Sequence, residues 1–279
     1  MVRTYIDSPD GVLEAVALSR PPRVLPDSLP ESWSEMPELE ALHSEWSELV
    51  SWLERTIGEV VTIDIATKEM YDATFIRDMA SVVGPYVLMT RSGVPHRKPE
   101  HNAACAAFLN QGVGRWPWSG AGKCEGADVL PVGPRVWYVG CGGRTDQDGA
   151  NHVLQWSDMQ RSTAVFKVEK SGPPVPQHLL GGNRVVGGVL YTRTDVEHIP
   201  WEGPAVVMEP DDEIVDRLAM NWLTLSPTEV LMADDCPEMA DLLRSNGVEV
   251  YTLSMREIRK MDGGFACSTL PLRRARAQT

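Results

Sequence analysis

MDGGFACSTLPL, residues Met261–Leu272, joins a boundary of the fold to a reactive atom. Gly263 and Gly264 can take positive φ or let the backbone come close to a ligand. Cys267 follows, then a short apolar run, TLPL, that reads as a final buried strand. A thiol between a glycine turn and a core strand is held firmly and can stay partly accessible. Taken alone it is a buried structural cysteine. A different reading needs a matching base and matching carboxylates elsewhere in the chain.

Working outward, the 279 residues suffice for one large domain or two ordinary ones. Hydrophobic residues make up 43% and charged residues 23%, the balance of a soluble globular chain. A net charge of −13 argues against a nucleic-acid partner, which would need a basic face. The basic cluster Arg273, Arg274 and Arg276 reads as a solvated tail. No apolar run approaches a membrane span, and MVRTYIDSPDG lacks a signal-peptide core. The five cysteines form no CxxC pair, which disfavours a disulfide framework or a zinc knuckle and fits a reducing cytoplasm.

Periodicity predicts a strand over Val12–Leu18, a proline-rich loop, and a long helix between Pro30 and Gly58. Val60–Ile65 reads as a strand, and Phe75–Thr90 as two apolar runs broken at Gly84-Pro85, with Asp78 inside the first. A helix is predicted over Pro99–Asn110 and a loop from there to Lys123. A hairpin follows over Val129–Val139, then a helix near Asn151–Met159 and single strands at Ala164–Val168, Val185–Thr192 and Ala205–Met208. A helix over Asp211–Trp222 and a hairpin over Leu223–Ala233 come next. Asp235 is read as capping a helix with Pro237 in its first turn and Gly247 past its end. Val248–Leu253 is a strand and Met255–Lys260 one or two helical turns. Strand, hairpin and helix thus recur about every 50 residues. Similar α/β modules around an axis, or a two-domain α/β protein, both fit.

Among candidate motifs, GAGK at Gly120–Lys123 fails as a phosphate loop, because Pro117 stands at its first glycine and Cys124 follows the lysine. LGGNRVVGG lacks the spacing of a dinucleotide fingerprint. His43, His96, His101 and His198 read as surface residues, and His152 as a helix start. His178, in HLLGG, is placed to project from a scaffold edge. Asp78, Glu125 and Asp128 sit beside apolar runs, where burying an acid is costly unless it meets a cation or several donors. Internal salt bridges with Arg77 or Lys123 would answer that cost. Together the acids, one histidine and one cysteine form a constellation.

These residues resemble the guanidino-group-modifying enzymes: dimethylarginine dimethylaminohydrolases, arginine deiminases and amidinotransferases. Four motifs carry the resemblance, in family order from about residue 70 to the end: DATFIRD (Asp72–Asp78), CEGADVLPVG (Cys124–Gly133), HLLGG (His178–Gly182) and REIRKMDGGFACSTLPL (Arg256–Leu272). The last is most similar to the dimethylarginine hydrolases. TRSGVPHRK (Thr90–Lys98) and GGRTDQDGA (Gly142–Ala150) add Arg97 and Arg144 at carboxylate-binding positions. The resemblance implies a five-bladed α/β propeller, formed by residues 1–279 as one catalytic domain with the site at its axis.

It also implies roles. Cys267 would be the nucleophile, His178 the acid and base, and Asp78 and Glu125 the holders of the planar guanidinium. Asp72, Phe75, Arg97, Arg144 and Asp128 would bind the substrate, the arginines taking its α-carboxylate and Asp72 its amino group. The expected partner is a small guanidino amino acid. No cofactor and no metal is expected, since no obvious metal-ligand set is legible; a homo-oligomer is compatible. Ala127 replaces the second glycine of the family's Glu-Gly-Gly-Asp turn. Arg77 stands where the dimethylarginine hydrolases carry an acid, and Leu180 where deiminases and amidinotransferases carry Asp. Hydrolysis of arginine or an N-substituted arginine is the first expectation, and amidino transfer to an amine the second.

Overall fold

The computed structural model describes residues 2–133, 136–158, 163–167 and 178–275. In chain order the elements begin with β1 (Leu13–Ser19), α1 (Leu39–Thr56), β2 (Glu59–Ile63), α2 (Ile76–Met79), β3 (Ala80–Val83), β4 (Tyr86–Met89), α3 (Glu100–Asn110) and β5 (Arg115–Trp116). They continue with β6 (Val129–Gly133), β7 (Val136–Cys141), α4 (Gln147–Asp158), β8 (Thr163–Lys167), α5 (Leu179–Gly182), β9 (Asn183–Val186), β10 (Val189–Arg193) and β11 (Ala205–Met208). The last are α6 (Asp212–Val215), β12 (Leu223–Ser226), β13 (Glu229–Ala233), α7 (Pro237–Ser245), β14 (Glu249–Leu253), α8 (Arg256–Lys260), α9 (Phe265–Ser268) and β15 (Thr269–Arg274).

Among the described residues these strands form five three-stranded sheets of one design. An antiparallel pair comes first, and the third strand then joins parallel to the middle one. The order is β3-β4-β5, β6-β7-β8, β9-β10-β11 and β12-β13-β14. The fifth sheet is assembled from both ends of the chain: β15 pairs antiparallel with β1, and β2 pairs parallel. A parallel partner needs a crossover, and α1, α3, α4 and α7 supply it in four of the sheets. The first strands meet one another across the sheets. Ser81 donates to the Val129 carbonyl, Thr224 to that of Val185, and Arg274 to that of Thr224.

In front of the first strand of each sheet the chain makes a tight turn. Those turns are α2, a single 3₁₀ turn over Gly126–Asp128, α5, the segment 216–222, and α9. Position 78, 125, 178, 221 or 267 lies in or beside one of them. The recurring module thus delivers one polar side chain per sheet to a common region.

Several expectations shift. The long helix begins at Leu39, not Pro30; Pro37 interrupts the pattern, and Glu38 caps the helix by accepting from Ala41 N. Its buried face is Leu42, Trp46, Leu49 and Leu53, of which the three leucines share a core cluster with Val16, Leu18 and Ile258. Asp78 lies in a helical turn ahead of β3, not within a strand. The loop to Lys123 contains β5. The single strand over Val185–Thr192 is a hairpin, turned by Gly187 and Gly188 at φ 62° and 71°, a primed two-residue turn. The helix over Asp211–Trp222 stops at Val215, and Leu218 reaches φ 53°. Cys236, not Asp235, stands at the N-cap of α7, because Asp235 is held by Arg259 at 2.6 Å. The basic cluster is no solvated tail as far as it is described: Arg273 pairs with Glu14 and Glu59, and Arg274 is buried. Arg276, Pro134, Met159 and Val168 lie outside the described residues. No described helix is long and apolar enough to cross a membrane.

Candidate active site

The turns converge on a cleft of about 240 Å3 lined by Asp72, Phe75, Asp78, Arg144, His178, Asn221 and Cys267 among others. Cys267 sits in α9, directly before β15, with its thiol receiving a hydrogen bond from Asn221 Nδ2 at 3.0 Å. Asn221 Oδ1 in turn accepts from the backbone N–H of Ala266 and of Cys267. One amide thus fixes both the turn and the sulfur. Burial pushes the thiol up to about 11, with Asp78 and Asp262 adding to the rise and the Asn221 bond opposing it.

Glu125 is fully buried at the head of its turn, and its Oε2 accepts from His178 Nε2 at 2.6 Å. Ser92 donates to the other oxygen, and Arg144 lies 3.8 Å from it. Burial alone would raise this carboxyl, but the His178 bond and charge, with Arg97 and Arg144, hold it down at about 2. For His178 the burial penalty, which lowers, is outweighed by Asp78, by the Glu125 bond and by Asp128. The imidazole is raised to about 9 and is cationic at neutral pH. Asp78 completes the set. Its Oδ2 accepts from Arg97 at 2.6 Å, while its buried Oδ1 has no hydrogen-bond partner and faces His178 Nε2 at 3.7 Å. A buried, unsatisfied carboxylate oxygen beside a thiol is a ready acceptor for a cationic N–H ligand.

Comparison with known proteins bears on this constellation. Residues 204–274, which include α9 and Cys267, match the arginine deiminase family model. A dimethylarginine dimethylaminohydrolase of Streptomyces coelicolor is 27% identical over 230 residues, 82% of this chain and 85% of that protein. Among solved structures, the dimethylarginine dimethylaminohydrolase of Pseudomonas aeruginosa in complex with citrulline superposes with a TM-score of 0.76 at 20% identity, covering 93% of this chain and 99% of that one. An amidinotransferase of Microseira wollei gives 0.77 at 15% identity, covering 99% of both.

The chain is similar to dimethylarginine dimethylaminohydrolases and arginine deiminases, members of the guanidino-group-modifying enzymes.

Against that family background several site residues stand differently from expectation. Arg97 is turned inward. Its Nε donates to Glu100 at 2.9 Å, Nη1 to Asp78, and Nη2 to the carbonyls of Asp72 and Phe75. An arginine so engaged braces the acids of the site and has little left for a substrate carboxylate. Asp128 is likewise a brace: it accepts from Leu179 N at 2.8 Å and from Thr145 Oγ1 at 2.5 Å, fixing the turn that carries His178. Burial raises its carboxyl to about 6, and it does not line the cleft. Asp72 lines the cleft, but Trp33 Nε1 and His96 Nε2 each hold one of its oxygens at 2.7 Å. His96 is therefore no plain surface residue; it also stacks on Tyr71. Phe75 and Arg144 line the cleft.

Gly263 and Gly264 take no positive φ; Asp262 does, at 65°. A Cβ on Gly263 would run into the Phe75 ring and one on Gly264 would crowd Asn221, so these glycines admit neighbouring side chains and not a ligand. Sequence reasoning passed over Asn221, Ser92, Thr145 and Asp262. A polar residue in a tight turn ahead of a predicted strand was the available signal. The absence of a metal-ligand set also needs correction: Asp78, Glu125 and His178 place donor atoms within 4.8 Å of one another. The His178 bond already occupies one Glu125 oxygen, and the same two carboxylates suit a planar cation.

Proposed function

We propose that this protein hydrolyses the guanidino group of arginine or an N-substituted arginine, releasing ammonia or an amine and leaving citrulline or a related ureido product. The observation that carries the reading is the unpartnered Asp78 Oδ1, set with the Glu125–His178 pair beside a half-buried thiol. The dimethylarginine hydrolase and deiminase relatives add weight to it. We read the five sheets as blades of a propeller around this cleft and the whole chain as one catalytic domain.

In this reading the substrate guanidinium lies between Asp78 and Glu125, its planar N–H groups donating to their oxygens. Its positive charge offsets the burial and the nearby acids that hold the Cys267 thiol neutral, so the thiol releases its proton to solvent as the substrate settles. The thiolate adds to the central carbon, forming a C–S bond. His178, cationic in the free site, gives its Nε2 proton to the departing nitrogen as the C–N bond breaks, leaving a thiouronium on Cys267. The now neutral imidazole takes a proton from water. Hydroxide adds to the carbon, the C–S bond breaks, and the departing thiolate takes the adduct's hydroxyl proton, so that the thiol is restored as the ureido carbonyl forms.

Purified protein incubated with arginine and the methylated arginines should give a ureido product from at least one of them. Cys267→Ala should abolish turnover, and treatment with a chelator should leave it unchanged. Loss of activity on chelation would point to a metal on Asp78, Glu125 and His178 and sink this mechanism. A product that appears only when an amine is added would favour amidino transfer.

A further inference from the structure

Behind the cleft lies a second cavity of about 50 Å3, and Arg77, Leu180 and Ala266 line both spaces. Arg77, Arg184 and Arg274 all line it, brought there by α2, β9 and β15. Each is at least nine-tenths buried, with exposures of 7%, 7% and 5%. Their hydrogen-bond acceptors are all backbone carbonyls. Arg77 donates to Val129 at 3.2 Å, Arg184 to Trp222, and Arg274 to Gly11 at 2.6 Å and Thr224 at 2.8 Å. Among the described residues no carboxylate stands within ion-pair distance of any of the three; Asp78 acts on Arg77 and Asp10 on Arg274 only at longer range. Arg184 Nε has no hydrogen-bond partner at all.

Carbonyls satisfy guanidinium N–H groups without cancelling their charge. Buried charges in folded proteins are paired or hold an ion. Here burial, followed by repulsion from Arg77 and Arg274, pulls Arg184 down to about 9, which is the mark of an uncompensated cluster. The missing component is negative, and the space has room for only a few water-sized occupants. We propose that this cavity is an anion site, in which Arg77, Arg184 and Arg274 take up a small monovalent inorganic anion of the chloride class. The cavity adjoins the cleft, and Cys267 acts on Arg77 and Arg184 at longer range, but the assignment does not rest on the chemistry given to Cys267.

Crystals of the full chain grown with bromide replacing chloride at about 0.1 M should show an anomalous peak in the cavity within contact of Arg184. In solution the melting temperature should rise saturably, by about 2–4 °C, when chloride replaces gluconate at constant ionic strength. Arg184→Met should abolish that dependence. The wild-type bromide experiment stands by itself if the variant does not fold. A cavity holding only water, identical melting in chloride and gluconate, or a chloride effect undiminished in a folded Arg184→Met protein would each overturn the assignment.

Discussion

Arg97 Nη1 donates to Asp78 Oδ2 at 2.6 Å, and that bond leaves Asp78 Oδ1 as the oxygen turned toward His178. The same arginine holds Glu100, whose carboxyl burial pushes up to about 7 despite the charge beside it. Two buried acids therefore depend on one cation. Removing one partner of such a pair costs about 3–5 kcal/mol, because the other charge is left unpaired. Arg97→Met should lower the unfolding free energy by that order. Glu100→Gln, which keeps an acceptor, should cost less. Denaturant titration of both variants checks this. A folded Arg97→Met enzyme with wild-type stability and only a raised KM would restore the carboxylate-binding role.

Asn221 is the amide on which the Cys267 sulfur and its turn both rest. Asn221→Asp is nearly isosteric and keeps the oxygen that accepts from Ala266 N and Cys267 N. It replaces the donor to sulfur with a second acceptor and adds a negative charge. The thiol should therefore titrate higher than in the wild type, and kcat/KM should fall about 100-fold with little change in melting temperature. Ultraviolet thiolate absorbance, with Cys267→Ser as the blank, reads the titration. Unchanged titration and turnover would reduce Asn221 to scaffold.

His178 sets a pH window for stability. Its folded value of about 9 lies above the ordinary 6.5, so its ionised form stabilises the fold fully below about 6.5, and that contribution is lost as pH rises to about 9. The amount at stake is on the order of 3 kcal/mol. Glu100, Asp128 and Asp262, raised to about 7, 6 and 6, titrate on the acid side of most of this window. His178→Asn should thus flatten the fall in melting temperature between pH 6.5 and 9. An identical decline in both proteins would show that the imidazole is not cationic in the free site.

How much of this was legible follows from where the information sits. The strands of the β12-β13 hairpin and the face of α1 were readable because apolar spacing is local. Cys267, His178, Glu125 and Asp78 were readable as a set because their motifs are short and contiguous. The role of Arg97 was not, because its carboxylate partners include Asp78, 19 positions away in a different turn. Asn221 hid inside a pattern that suits a helix, and its bonds to Ala266 and Cys267 are made across 45 and 46 positions. Arg274 looked like part of a charged tail because burial of a terminal arginine depends on the β15-β1 pairing. Long-range pairing, which local periodicity does not encode, accounts for each of these misses.

With Arg97 turned inward, the proposed function leaves Arg144 as the candidate for holding a substrate carboxylate; it lines the cleft and is part exposed at 22% of its side chain. It also lies 3.8 Å from Glu125 Oε1 and helps keep that carboxyl ionised, so its removal has two consequences. Loss of a carboxylate contact is uniform binding, and it should raise KM for the amino-acid substrate about 10–100-fold without lowering kcat. Loss of support for Glu125 would lower turnover of every guanidine alike. The two separate when arginine is compared with its decarboxylated amine. Arg144→Met should erode the preference for arginine over the amine by about the same 10–100-fold. If both compounds lose activity in equal proportion, Arg144 acts only through Glu125, and the carboxylate is held elsewhere in the cleft.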